Sequence, residues 1–500
     1  MLCWVAVAPL LVALLRTRSP GTLQLRAGGR LLPASPLQGF LLAYQCGMVW
    51  YAGTCYWIYN TMRQYGGVET PAAVGILILF CLYLALYHGL FGLLISLAAS
   101  GETPSPRRAL VLAPFLWVAV ELARTRITGF PWDLLGITQV DNIPLARIAT
   151  ATGVYGISFE IVVVNVALAA AFLVRREKRL NLLLAALGAA VVLQSGLLVK
   201  PPPLPTDHSA RLVQQNIPIL QGEWSKEYFD NTLRELSVIS LNSSGAQRHP
   251  DLIVWPESPS PFYTADPTYR DALTNLARVG QAWVLAGSLG VQNASGTAEP
   301  SARMFNSAVL VSPAGDWVGR YDKMHLVPFG EYVPFKQIFS FAGGLTKEVG
   351  DFTPGASRTP LQAGQAKLGV FICYESIFPD EIRQPVADGA QVLVNVSNDG
   401  WYGDSGAYAQ HLKQARMRAV ENNRWLLRDT NTGVTAAIDP YGRVVASIPR
   451  KVRAALDAPY ALNNVITFYT RHGDWFAYLC AIISVAALFM RLPLLTRTRQ

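Results

Sequence analysis

Lys367-Leu368-Gly369-Val370-Phe371-Ile372-Cys373-Tyr374-Glu375-Ser376 is an apolar, β-branched run that ends at a thiol and passes into a polar turn and a helix-like stretch. A thiol at a strand's end, on a sharp turn into a helix, is presented rather than buried, which suits a nucleophile. Outward from this run, strands and helices alternate. Upstream, Arg211–Asn216 reads as a strand, 225–242 as a helix with apolar residues at Tyr228, Leu233, Leu236 and Ile239, and Leu252–Trp255 as a buried strand. A helix at 267–279 and strands at 282–288 and 304–312 follow. Downstream come a helix near 377–389, a strand at 391–396, a helix at 406–423 and strands near 425–429, 433–439 and 443–448. Alternation with several strand–strand pairs implies a layered α/β domain whose sheets are covered by helices.

The rest of the chain is of another kind. Of its 500 residues 51% are hydrophobic and only 15% charged, against about 25% charged in soluble chains. The apolar excess lies in residues 1–199 and 476–494, with runs at about 1–15, 38–59, 72–98, 109–126, 150–174, 180–199 and 476–494. Most meet the roughly 20 apolar residues that a spanning helix needs. The first is short, but it lacks the basic start and small-residue cleavage site of a signal peptide. The expected organisation is an N-terminal transmembrane helix bundle over 1–200, a catalytic domain over 201–472 that begins at the stiff Pro201-Pro202-Pro203-Leu204-Pro205 linker, and a closing transmembrane helix with its tail over 473–500.

Loop charge orients the bundle. Arg16, Arg18, Arg26 and Arg30, then Arg107 and Arg108, then Arg175, Arg176, Lys178 and Arg179, then Arg491, Arg497 and Arg499 follow alternate spans. These thirteen cations, against Glu102 and Glu177, exceed the net charge of +9 for the whole chain. The basic balance therefore reports membrane orientation and not nucleic-acid binding. Residues 60–71 and 200–475 should lie outside the cytoplasm, as should the start of the chain, so a helix is expected to precede this sequence. Five of the six cysteines lie in or beside spans, and Cys373 alone belongs to the exported block. An unpaired thiol there is an oxidation liability, and its retention suggests use.

Two further strings bear chemistry: Trp255-Pro256-Glu257-Ser258, and Arg320-Tyr321-Asp322-Lys323-Met324-His325-Leu326-Val327-Pro328-Phe329-Gly330-Glu331. Taken singly, Glu257 reads as an acid at a helix start and Lys323 as a surface charge. Together with Cys373 they supply the base, the oxyanion-stabilising cation and the nucleophile that thiol catalysis requires. His325 is set aside as a base, and His411, in a helical run with Gln410 and Lys413, is read as structural. No His/Cys/Asp cluster has metal-ligand spacing. Glu121 and Glu160 fall near or within spans, where acids are functional suspects.

At these strings the exported domain resembles the carbon–nitrogen hydrolase (nitrilase) superfamily, with a Glu-Lys-Cys triad on an αββα four-layer sandwich. The whole chain is similar to the bacterial apolipoprotein N-acyltransferases, through Tyr56-Trp57-Ile58, Trp117 with Glu121 and Arg124, Gly129-Phe130-Pro131-Trp132, Asn216-Ile217-Pro218, Trp224, Tyr321-Asp322-Lys323, Leu326 to Glu331, Cys373-Tyr374-Glu375 and Asn398-Asp399-Gly400-Trp401-Tyr402. The resemblance implies Glu257 as general base, Lys323 as oxyanion stabiliser and Cys373 as nucleophile, with Glu331, Glu375 and Tyr374 in support and Trp401, Tyr402 and Trp224 lining the substrate site. It implies no cofactor, a phospholipid acyl donor, a diacylglyceryl apolipoprotein acceptor, and a monomer in the bacterial inner membrane with the catalytic domain outside. Lys323 between two acids is expected to stay charged and to favour the thiolate of Cys373. The segment 332–353, with Tyr332, Phe335, Ile338, Phe339, Phe341 and Leu345 beside Gly343 and Gly344, reads as a mobile arm touching lipid. The rival readings are a membrane-tethered amidase passing the acyl group to water, and a degenerate lipid-binding scaffold.

Overall fold

The structure, a computed structural model, describes residues 2–16, 33–100, 105–173, 176–219, 224–242, 249–258, 261–293, 302–332 and 352–490. Most of the 332–353 arm lies outside the described residues. The chain divides into two compact units, one of Met1–Tyr56, Val74–Lys200 and His472–Gln500, the other of Trp57–Ala73 and Pro201–Arg471.

The first unit is helical. Among the described residues Thr70–Ala99, Val154–Leu173 and Lys178–Leu198 are long and apolar enough to cross a membrane, while Leu2–Leu15 and Trp475–Phe489 are apolar but shorter. The expected spans near 38–59 and 109–126 form helices at Pro36–Thr54 and Pro106–Ala123. Polar groups inside this unit are used to hold it. Asn165 accepts from the backbone N–H groups of Val7 and Ala8 at 2.9 and 3.0 Å and so satisfies the otherwise orphaned start of the helix Ala8–Leu15. Glu121 accepts from Trp117 Nε1 at 3.0 Å and from Leu135 N–H at 2.8 Å, which pins the turn after its own helix. Glu160 is half-buried.

The run 38–59 does not form one span. Its helix ends at Thr54, and a separate helix, Trp57–Gln64, belongs to the second unit. Tertiary contacts make the break. The Trp57 ring stands edge-on to Tyr402, the Thr61 hydroxyl donates to the Trp401 carbonyl at 3.0 Å, and Tyr65 meets the Trp401 ring. Hydropathy alone does not register such contacts.

The second unit is two six-stranded sheets. One has the order β12-β1-β2-β3-β4-β5, with β1 His208–Gln214, β2 Leu252–Trp255, β3 Trp283–Asn293, β4 Ala302–Val311, β5 Trp317–Asp322 and β12 Ala454–Tyr460. The other has the order β11-β10-β9-β8-β7-β6, with β6 Leu361–Ala363, β7 Ala366–Ile372, β8 Val392–Ser397, β9 Leu426–Thr430, β10 Thr435–Ile438 and β11 Val444–Ile448. The pairs β1–β2, β2–β3, β7–β8 and β8–β9 are parallel, and antiparallel strands flank them.

Alternation builds the layers. Leu252, Val254, Leu285 and Leu310 of one sheet meet Leu368, Val370, Ile372, Val394 and Leu427 of the other. Ile253, Trp255 and Val284 face outward onto the helices Lys226–Leu241 and Pro267–Gly280. Phe371, Leu393 and Leu426 face outward onto the helices Pro379–Ala387 and Ala407–Asn422. The result is the expected αββα sandwich. Strands covered on both faces read as continuous apolar runs, and this is why β2, β7 and β8 were visible in the sequence.

Candidate active site

Three parallel-strand or hairpin ends carry the candidate catalytic residues. Glu257 follows β2, Lys323 follows β5, and Cys373 follows β7. Each apolar strand is anchored in the core, so the first polar residue past its end is placed by rigid backbone. Gly287 on β3 lets the Glu257 segment approach: a Cβ there would lie 2.1 Å from the Pro256 carbonyl oxygen. Cys373 has φ of +49°, left-handed backbone rare for a residue with a Cβ. The sharp elbow expected at the thiol is present.

The polar groups close a ring. Lys323 Nζ lies 2.9 Å from Glu331 Oε1 and 3.4 Å from Glu257 Oε1. Opposite the lysine, the Asn306 amide on β4 donates to the same two oxygens, at 2.8 Å to Glu257 and 2.7 Å to Glu331. Glu331 Oε2 accepts from the Val327 N–H at 2.8 Å. Glu257 Oε2 is buried and has no hydrogen-bond partner among the described residues. The ring thus uses three of the four carboxylate oxygens and leaves one oxygen of Glu257 open to accept a proton.

Glu375 ties the lysine loop to the cysteine elbow. Its Oε1 accepts from the Tyr321 hydroxyl at 2.8 Å, Met324 N–H at 2.9 Å and His325 N–H at 3.2 Å, and its Oε2 accepts from Ile372 N–H at 2.7 Å. Burial pushes this carboxyl up, and the donors from Ile372 and Tyr321 push back. Three residues around Lys323 and one preceding Cys373 are therefore held by one carboxylate.

Electrostatics correct two expectations. Cys373 is not presented but buried, 6% exposed. Burial, and next the Glu257 charge, push its thiol well above the ordinary range, and Lys323 pulls back without prevailing. The resting group is the thiol and not the thiolate, so it needs a base. Lys323 does stay charged. Burial alone would lower it, but Glu331 and Glu257 together hold it above the ordinary lysine value.

The other expected residues are distributed as follows. Tyr402 is buried, with its ring against His411 and Trp57. Trp401 is half-buried beside Tyr65. Tyr374 packs on Phe378, against which the His325 ring also stacks at 3.6 Å. His325 Nδ1 pairs with Glu381 at 3.0 Å, so its side chain is engaged away from the ring of charges. Trp224 joins an aromatic cluster with Tyr228, Phe229 and Phe262. Among the described residues no group of three or more His, Cys, Asp or Glu side chains could hold a metal ion. Asn306 was missed, although an Asn-Ser pair inside an otherwise apolar strand pattern is a readable anomaly. His411 was read as structural only, yet its Nε2 lies 3.0 Å from the Cys373 carbonyl oxygen.

The profile of the family described as Carbon-nitrogen hydrolase matches residues 209–466, and that described as Apolipoprotein N-acyltransferase N-terminal domain matches residues 1–167. An apolipoprotein N-acyltransferase of Geobacter metallireducens is 36% identical over 502 aligned residues, covering 98% of this chain and 91% of its own. One of Methylococcus capsulatus is 37% identical, covering 90% of this chain and 87% of its own. Among solved structures, Saccharomyces cerevisiae Nit3 of the nitrilase superfamily matches at 19% identity and a TM-score of 0.38, covering 60% of this chain and 100% of its own.

Proposed function

Since this chain belongs to the apolipoprotein N-acyltransferase family, we propose that its Glu257–Lys323–Cys373 site carries lipoprotein N-acylation by a ping-pong route. Glu257 Oε2 takes the thiol proton as Cys373 Sγ attacks the sn-1 ester carbonyl of a phospholipid. The Lys323 ammonium stabilises the oxyanion. Collapse expels the glycerol oxygen, which Glu257 reprotonates, and a lysophospholipid leaves behind a thioester. The α-amine of a diacylglyceryl-cysteine then attacks the thioester carbon. Glu257 takes the amine proton and returns it to the departing sulfur.

The observation that carries this reading is the asymmetry of Glu257. Its Oε1 is bound by Asn306 and faces Lys323, while its Oε2 is buried without a partner among the described residues. A buried, protonated thiol in the same cluster needs such an acceptor. Burial also disfavours water as the second acceptor. The bundle of 1–200 and the helix after 473 anchor the enzyme in the bacterial inner membrane, with the catalytic unit on the outer side. The loop charges support that orientation, and the enzyme acts as a monomer.

The test supplies the purified full chain in detergent with a defined diacyl phospholipid and a synthetic peptide bearing an N-terminal S-diacylglyceryl-cysteine. Triacylated peptide and lysophospholipid are expected in equal amounts. Release of free fatty acid without acyl-peptide, or turnover of a small soluble amide without lipid, would assign the site to hydrolysis instead.

A further inference from the structure

We propose that His411 is a positioning residue for the nucleophile: through Nε2–H it grips the Cys373 carbonyl and holds the left-handed backbone on which Sγ is mounted. This rests on the acyl-transfer reading and adds a residue to it.

The geometry is specific. His411 Nε2 is 3.0 Å from Cys373 O, and Nδ1 is 2.9 Å from Asp399 Oδ1. Nε2 faces a carbonyl oxygen, which can only accept, so the bond to Cys373 needs the hydrogen on Nε2. The Arg428 Nη2 group, 3.2 Å from Nδ1, has the Asp399 carboxylate to donate to, at 3.0 and 2.8 Å. The Ser397 hydroxyl donates to the same carboxylate at 3.0 Å, and Arg428 also donates to Asn395. His411, Arg428 and Ser397 are fully buried and Asp399 is 1% exposed. Burial alone would raise the Asp399 carboxyl, but Arg428 and His411 hold it below the ordinary range.

A buried His–Asp–Arg cluster could serve only as core. Here, however, the bond that leaves the cluster ends on the one backbone carbonyl whose residue is both the nucleophile and in positive φ. Such a conformation costs on the order of 1–3 kcal/mol and persists only where surrounding contacts over-determine it. A trans peptide points its N–H opposite its C=O. Fixing Cys373 O therefore also fixes the Tyr374 N–H beside the nucleophile. Asp399 opens the short turn Asp399–Tyr402, and the Tyr402 ring covers His411 edge-on at 5.5 Å. The elbow and the aromatic wall thus share one buried anchor.

The experiment compares His411→Gln with His411→Asn in the full-length protein. The Gln amide reaches the depth of Nε2 and can donate to Cys373 O. The Asn amide reaches only the depth of Nδ1 and can meet Asp399 alone. The rate constant of thioester formation, the phospholipid KM and the thermal midpoint are measured for each. His411→Asn is expected to lower the acylation rate constant about a hundredfold with KM unchanged, the scale of a small misplacement of a reacting group, whereas His411→Gln stays within tenfold of the parent. Equal rate constants per folded molecule for the two variants would overturn the proposal, as would failure of both to fold, which would assign His411 to stability alone. If the parent itself forms no thioester, the acyl-transfer reading fails first. The same comparison is then read from the rate of Cys373 alkylation by iodoacetamide, where Gln should exceed Asn and equality again overturns the proposal.

Discussion

Replacing Glu257 by glutamine should remove the proposed base while sparing the architecture. The amide oxygen can keep the place of Oε1, accepting from Asn306 at 2.8 Å and facing Lys323 at 3.4 Å. The amide nitrogen then takes the place of Oε2, which has no partner to lose among the described residues. Lys323 keeps Glu331 at 2.9 Å, so the ring retains one full ion pair and stability should change little. The chemistry should change greatly. Burial and Glu257 push the Cys373 thiol far above neutral pH, and general bases contribute about 10²–10⁴ in rate. At about 1.4 kcal/mol per tenfold, that is roughly 3–5.5 kcal/mol of barrier. Single-turnover thioester formation, followed by intact mass at neutral pH, is the assay. The residual rate of Glu257→Gln should also climb about tenfold per pH unit, because the fraction of thiolate does so below the thiol pKa. A variant within tenfold of the parent, or one whose rate is flat with pH, would refute the assignment of Glu257 as base.

Other expectations concern the groups around it. Lys323→Met leaves Glu257 and Glu331 buried without their cation; removing one partner of a buried pair costs about 3–5 kcal/mol, so a lowered unfolding midpoint should accompany loss of thioester formation. Glu375→Gln turns a donor toward groups that already donate to that carboxylate from both the lysine loop and the cysteine strand. Hydrogen bonds to charged groups are worth about 1.5–3 kcal/mol each, so denaturant titration should show a loss of at least that size, with kcat falling more than KM rises. Asp399→Asn tests linkage. The folded carboxyl is held below its ordinary 3.8 by Arg428 and His411 against burial. Its contribution is therefore present above about pH 4 and lost as pH falls through the folded value. The variant should be less stable than the parent at pH 7, and the gap should narrow on acidification toward pH 3, as read by thermal unfolding.

Much of this was legible in the chain. The sandwich followed from apolar strands at β2, β7 and β8 and from helices with one apolar stripe, and the Glu257, Lys323 and Cys373 strings stood at strand ends. The parts that were not legible depend on tertiary contact. β12 contains Asp457 and Pro459 and has little apolar alternation; it is a strand because an edge place beside β1 is available. The split between Thr54 and Trp57 arises from aromatic contacts with Trp401 and Tyr402, more than 340 residues away in sequence. Asn306 and His411 carry no motif spacing, and their relation to the triad exists only once β4 and the helix Ala407–Asn422 are packed. The buried state of Cys373 was misjudged because a strand end was equated with exposure. Here the turn that follows β7 is itself buried, from Cys373 to Ile377.

The central claim is that Cys373 holds the acyl chain between donor and acceptor, and intact mass spectrometry of the full chain incubated with one defined phospholipid tests it most directly. The account predicts an added acyl mass mapped to Cys373, released by hydroxylamine, discharged by a diacylglyceryl-cysteine peptide with a free amine, and stalled as a slowly discharged ester in Cys373→Ser. A folded, lipid-loaded protein that transfers acyl chains with no adduct on Cys373, or that transfers them after Cys373→Ala, would contradict it.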